Sequence, residues 1–233
     1  MNLAKPQPVT RSWAPVAAVV VLLLATNLLD NRLWPGGYLI VHVAMALAFL
    51  GVARRDGLTW HDLGLAAADW RRGLVWAAWL VAIVAGILAI AALLPGLSGF
   101  FDDQKAADLS AAALLFQLFV RIPLGTAVFE ELAFRGVLLG LLIPRLGLRS
   151  AAVLSSVLFG LWHVLPSLNL ADRNEGLAGV GLWAVLLSVL FTTLAGLLLA
   201  WIRVRSNSLI APVALHWAVN ALALAAAWLL AEQ

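Results

Sequence analysis

Seven apolar runs dominate this chain: Trp13–Leu29, Gly36–Ala53, Gly73–Leu94, Leu109–Ile143, Ala151–Leu165, Leu177–Ile202 and Leu209–Leu230. A helix that crosses a bilayer uses about 20 apolar residues, so each run is near the length of one crossing. A soluble domain is about half apolar and about one quarter charged, whereas this chain is 64% hydrophobic and 12% charged. No soluble core of 233 residues hides that much apolar surface. The expected fold class is all-α, a polytopic transmembrane helix bundle of about seven spans. The absence of cysteine excludes disulfides, thiolate metal ligands and a cysteine nucleophile.

The net charge of +3 and the isoelectric point near 10.2 do not point to nucleic acid, because the basic residues lie between apolar runs. With a cytoplasmic N-terminus and seven alternating crossings, the inner segments hold Lys5, Arg11, Arg54, Arg55, Arg71, Arg72, Arg145, Arg149, Arg203 and Arg205. The outer segments hold only Arg32, Lys105 and Arg173, and they collect Asp102, Asp103, Asp108, Asp172 and Glu175. This bias predicts an integral membrane protein with its N-terminus inside and its C-terminus outside. No small-x-small site follows the first run, which reads as an uncleaved anchor.

Two segments depart from simple spans. The fourth run would reach about 52 Å as a straight α-helix, against a hydrocarbon core of about 30 Å. Pro123 and Gly125 lie in its middle, so a long bent helix or a span plus a half-helix is expected, beside a cavity. Arg54–Arg72 mixes charges with Leu58, Trp60, Leu63, Leu65 and Trp70, and reads as a short amphipathic helix on the cytoplasmic surface.

Ionisable groups inside spans are costly and mark function by default. Two of the four glutamates, Glu130 and Glu131, are adjacent within the fourth run. His42, His163, His216 and Asn220 also lie within spans. His42 has no acid close to it in sequence and reads as a polar contact between helices. The others form patterns: Glu130-Glu131-Leu132-Ala133-Phe134-Arg135 is EExxxR, Phe159 to His163 is FxxxH, and His216 to Asn220 is HxxxN. Glu131 and Arg135 share a helix face in the favourable order, which leaves Glu130 turned about 100° away and free of that pair. Counted from the nearest cytoplasmic helix end, Glu130, His163, His216 and Asn220 lie about 22, 20, 12 and 18 Å deep. Such convergence points to one site.

With these motifs the sequence resembles the CPBP family of CAAX-type proteases and bacteriocin-processing enzymes, which includes prenyl proteases of the Ras-converting type. The resemblance covers roughly Leu109 to Leu230 and includes Phe134-Arg135-Gly136. It implies an intramembrane endopeptidase with Glu130, His163, His216 and Asn220 at the catalytic positions. Residues 1–108 would then be three N-terminal helices with the amphipathic segment, and 109–233 the catalytic membrane core of one integrated domain.

Peptide hydrolysis needs an activated water and a stabilised oxyanion. Glu130 would take the water's proton with His163 orienting it, and His216 with Asn220 would bind the oxyanion. Glu131, Arg135 and Phe159 would support the site structurally. The competing mechanism is metal-dependent, with His163, His216 and Glu130 as ligands of one divalent ion such as zinc. Against it stand the absence of an HExxH pair and the poor ligand quality of Asn. The expected partners are the lipid bilayer and a membrane-anchored protein or peptide substrate, with no nucleic acid. Two other classes use the same residues, a proton-coupled transporter with a buried Glu/His relay and a non-catalytic membrane scaffold. Flux through liposomes without proteolysis would mark the transporter. Gly96-Leu97-Ser98-Gly99 matches a rhomboid-type serine motif, but follows Pro95 and reads as a turn.

Overall fold

A computed structural model describes residues 11–94, 96–101, 104–173 and 181–231; Lys5, Asp102, Asp103 and Glu175 lie outside them. The described residues are helical with no strand. Seven helices are long and apolar enough to cross a membrane. They are α1 (Ala14–Leu33), α2 (Pro35–Arg55), α3 (Ala67–Leu93), α4 (Ala111–Leu146), α5 (Leu148–Leu168), α6 (Gly181–Ser206) and α7 (Ile210–Ala231). The sequence-derived runs match them to within a few residues at most ends.

Local chemistry explains the ends. Ser110 caps α4, its hydroxyl accepting from the Ala113 N–H at 3.3 Å. Gly147 joins α4 to α5 with φ of +76°, a left-handed conformation that suits glycine. Asn207 turns the chain between α6 and α7 at φ 54°, which asparagine tolerates better than most residues.

The fourth span is one continuous helical run rather than two pieces. It takes up Pro123 and the surplus length by π-winding over Gln117–Val128 and again over Leu132–Leu138. Pro123 has no N–H, so the carbonyl five residues earlier, on Leu118, lacks its i+5 donor. The indole N–H of Trp217 on α7 supplies one at 2.8 Å. A backbone defect at membrane depth is thereby satisfied by a neighbouring helix, as a bilayer requires.

Every residue of α4 from Phe129 to Leu142 is buried. Phe129, Phe134, Val137, Leu138 and Leu141 pack with Val19 and Leu23 of α1, Phe49 of α2, and Phe159 and Trp162 of α5. α5 packs along α6, and α7 along α3 and the π-wound part of α4. The α5–α6 approach depends on glycine. A Cβ at Gly160 would meet Thr193 Oγ1 and come within 2.7 Å of the Val189 carbonyl oxygen. Gly160→Ala is expected to destabilise the protein by about 1–3 kcal/mol through overpacking, read as thermal unfolding in detergent. Gly51→Ala, where nothing lies within 4 Å, should be close to neutral; equal losses in both would contradict this packing.

The amphipathic helix expected over Arg54–Arg72 does not form. α2 ends at Arg55, turns follow, and only Ala67–Asp69 forms a short 3-10 helix before α3 continues. Gly57 and Gly64 adopt φ of +87° and +74°, which interrupts a helix. Leu58 and Leu63 are 3% and 0% exposed, turned into the core beneath α4 rather than onto a surface. Arg203 of α6 pins the loop, donating to the carbonyls of His61 at 3.2 Å and Asp62 at 2.9 Å. Burial pushes the Asp62 carboxyl up, but hydrogen bonds from the hydroxyl and N–H of Thr59 outweigh it and hold it below its usual range.

Candidate active site

The buried stretch of α4 carries the charges that the sequence singled out. Glu130, Glu131 and Arg135 are 5%, 0% and 1% exposed. Arg135 donates from one terminal nitrogen to Glu131 Oε1 at 2.9 Å, the expected i, i+4 pair. Its guanidinium carbon lies 4.0 Å from the centroid of the Phe159 ring, a cation–π contact in a desolvated setting.

Glu131 is not only the partner of Arg135. His216 Nδ1, on α7, donates to the same oxygen at 2.8 Å. Helical spacing pairs Glu131 with Arg135 alone, and the fold brings α7 to it as well. With Nδ1 committed to Glu131, the ring presents Nε2, which lies 3.9 Å from Glu130 Oε2. That separation exceeds a hydrogen bond.

Glu130 is not free either. Its Oε1 accepts from the Trp162 indole N–H at 3.1 Å, whereas its buried Oε2 has no hydrogen-bond partner. Leaving a buried polar atom unpaired costs about 1–3 kcal/mol, and in the same cluster Glu131 Oε2 and one terminal nitrogen of Arg135 are also buried without a partner.

His163 sits where α5 changes pitch. Its own N–H bonds the Gly160 carbonyl at 3.0 Å, and its Nδ1 bonds the Phe159 carbonyl at 2.8 Å. Since a carbonyl can only accept, Nδ1 carries the hydrogen and Nε2 holds the lone pair of the neutral ring. Phe159 lies edge-on to His163 with centroids 4.7 Å apart, and edge-on to His216 at 6.2 Å. It is thus the apolar hub on which Arg135, His163 and His216 rest.

A cavity of about 400 Å³ opens in front of this group. His163, His216 and Asn220 lie on its wall with Phe159, Thr126 and the apolar Leu198, Leu199, Leu215 and Val219. Asn220, which is exposed, also borders a second cavity of about 490 Å³ beside Leu97 and Phe101. Glu130 is not on the wall and stands beside His216, with Glu131 and Arg135 deeper still. Three motifs from α4, α5 and α7 therefore meet at one place.

The residues do not assemble as a metal site. Among the described residues no three histidine or carboxylate side chains group as ligands of one ion. The set His163, His216 and Glu130 is not gathered into such a group.

Sequence reasoning missed several contributors. Trp162 precedes His163 directly and holds Glu130, and nothing in its spacing announces that. Tyr38 hydrogen-bonds Thr126 on the cavity wall at 2.9 Å. His42, read as lacking an acid, pairs with Asp30 across the α1–α2 hairpin at 2.5 Å. The breaker sequence Trp34-Pro35-Gly36-Gly37 between these residues was the available signal, because a tight hairpin there sets them opposite each other.

No curated protein and no solved structure matches the chain. Residues 112–222, which hold the whole constellation from Glu130 to Asn220, match the family model for type II CAAX prenyl endopeptidase, Rce1-like. This integral membrane protein thus carries, from its fourth span into its seventh, a region that matches the Rce1-like family model.

Proposed function

We propose that the protein is an intramembrane endopeptidase that hydrolyses a peptide bond of a membrane-anchored protein or peptide, without a metal. The observation that carries this reading is an unpartnered carboxylate oxygen, Glu130 Oε2, 3.9 Å from His216 Nε2, with His216 and His163 both bordering an apolar cavity. A transporter relay would use the same charges, but the family match favours hydrolysis.

In this mechanism the attacking water donates its hydrogens to two acceptors, Glu130 Oε2 and His163 Nε2. Both are basic atoms left unused by the surrounding structure. Glu130 takes the proton as the water oxygen bonds to the scissile carbonyl carbon. His216, protonated on both ring nitrogens between Glu131 and Glu130, donates from Nε2 to the developing oxyanion together with the Asn220 amide. Glu131 and Arg135 hold His216 in place, and Glu130 returns the proton to the leaving amine. The apolar cavity would seat the substrate next to the bond and exclude bulk water.

The test is cleavage of a membrane-anchored, prenylated peptide by the purified full chain in lipid vesicles, followed by mass spectrometry. His163→Ala is expected to lower kcat by about 100-fold or more, and a chelator in the wild-type assay to change nothing. Normal turnover by His163→Ala would remove that residue from the mechanism. Loss of wild-type activity on chelation, restored by added zinc, would overturn the metal-free reading.

A further inference from the structure

Asp30 and His42, on the first two of the three helices that precede the family-matched region, have no part in the hydrolytic chemistry. They form a buried pair with side chains 1% (His42) and 6% (Asp30) exposed, His42 Nε2 lying 2.5 Å from Asp30 Oδ2. His42 Nδ1 meets the main-chain carbonyl of Gly125, inside the π-wound part of α4. A carbonyl can only accept, so Nδ1 carries a hydrogen, and Nε2 shares a second one with Asp30 Oδ2.

The pair bears on the segment that leads into Glu130. The His42 ring stacks on Phe129, the residue before Glu130, with centroids 3.9 Å apart and planes 19° from parallel. The Tyr38 ring lies 4.1 Å from that of His42, tilted by 44°, and its hydroxyl bonds Thr126. A Cβ at Gly125 would strike the Tyr38 ring, so this close approach needs glycine. One turn before Asp30, Asn27 donates to the Trp162 carbonyl at 2.7 Å, and Trp162 in turn holds Glu130. α1 and α2 thus grip Glu130 through the backbone before it and the indole beside it.

Stability alone does not account for such a pair, because the cost of desolvating two ionisable groups commonly cancels their attraction. Placement does. A π-wound segment containing Pro123 lacks the regular α-helical ladder that would fix where the next turn points. A misplacement of about 1 Å at a reacting group can cost about 100-fold in rate.

We propose that His42 and Asp30 are positioning residues, which fix the Gly125 carbonyl and the Phe129 ring so that Glu130 Oε2 faces the water it activates. The inference rests on the reading of Glu130 as the general base.

The experiment measures kcat and KM of the full chain in vesicles on the membrane-anchored peptide, normalised to folded protein. His42→Ala and Asp30→Ala should each lower kcat about 10- to 100-fold with KM changed less than about threefold. The double variant should be no worse than either single one, since the two act as a unit. His42→Asn, which keeps a donor toward Gly125, should recover part of the loss. Unchanged kcat in folded His42→Ala and Asp30→Ala, with only a lower unfolding temperature, would show a purely structural pair and overturn the proposal. If the alanine variants do not fold, Asp30→Asn and His42→Asn decide: a fall in kcat supports positioning, and an unchanged kcat overturns it. Glu130→Gln separates the levels. Activity in that variant sinks the hydrolytic reading itself, whereas inactive Glu130→Gln beside fully active His42→Ala sinks only the positioning role.

Discussion

Glu130→Gln is expected to lower turnover by about 10²- to 10⁴-fold, the range attributed to a positioned general base. The amide keeps the shape of the side chain and still offers an oxygen to the Trp162 indole, whose bond to Glu130 Oε1 is 3.1 Å. It cannot take a proton from water. Insertion, thermal unfolding and KM should therefore stay near those of the parent, which confines the loss to kcat. Glu131→Gln should behave differently, because that residue holds both Arg135 and His216. Its loss should appear in stability as well as in rate. Equal and purely kinetic effects of both substitutions would contradict the division of labour between the two carboxylates.

Arg135→Ala is expected to cost about 3–5 kcal/mol, as is usual when one member of a buried ion pair is removed. Glu131, fully buried, would keep only His216 as a charged neighbour. The packing of the guanidinium on Phe159 at 4.0 Å would also be lost. Arg135→Lys should restore only part of the stability, because an ammonium cannot reproduce the planar stack. Thermal unfolding in detergent, with yield of folded protein as a second readout, measures this directly. An Arg135→Ala variant as stable as the parent would show that Glu131 does not need the pair.

Much of the fold was legible because hydropathy and helical periodicity encode it locally. The runs gave the seven spans, and i, i+4 spacing gave Glu131 with Arg135 and Phe159 beneath His163. Pro123 marked where α4 would deviate, but not that π-winding would absorb it, since that depends on Trp217 of a distant span donating to Leu118. The expected amphipathic helix failed because Gly57 and Gly64 take left-handed conformations and Leu58 and Leu63 find a core to enter. Composition alone cannot tell a buried leucine from one lying on a membrane. Contacts between spans were the least legible. His216 with Glu131, Trp162 with Glu130 and His42 with Asp30 each depend on how two helices cross, which no single run records. The glutamates and histidines still carried a trace, because a polar group inside an apolar run must find a partner.

The proposed chemistry is hydrolysis by a water that Glu130 activates, and heavy-oxygen water tests it most directly. The full chain in vesicles is given a membrane-anchored peptide in labelled water, and the products are weighed. The expected result is two fragments, with one labelled oxygen in the new carboxyl terminus, formed by the parent and not by Glu130→Gln. Intact peptide in both samples, or labelled fragments formed equally by Glu130→Gln, would contradict it.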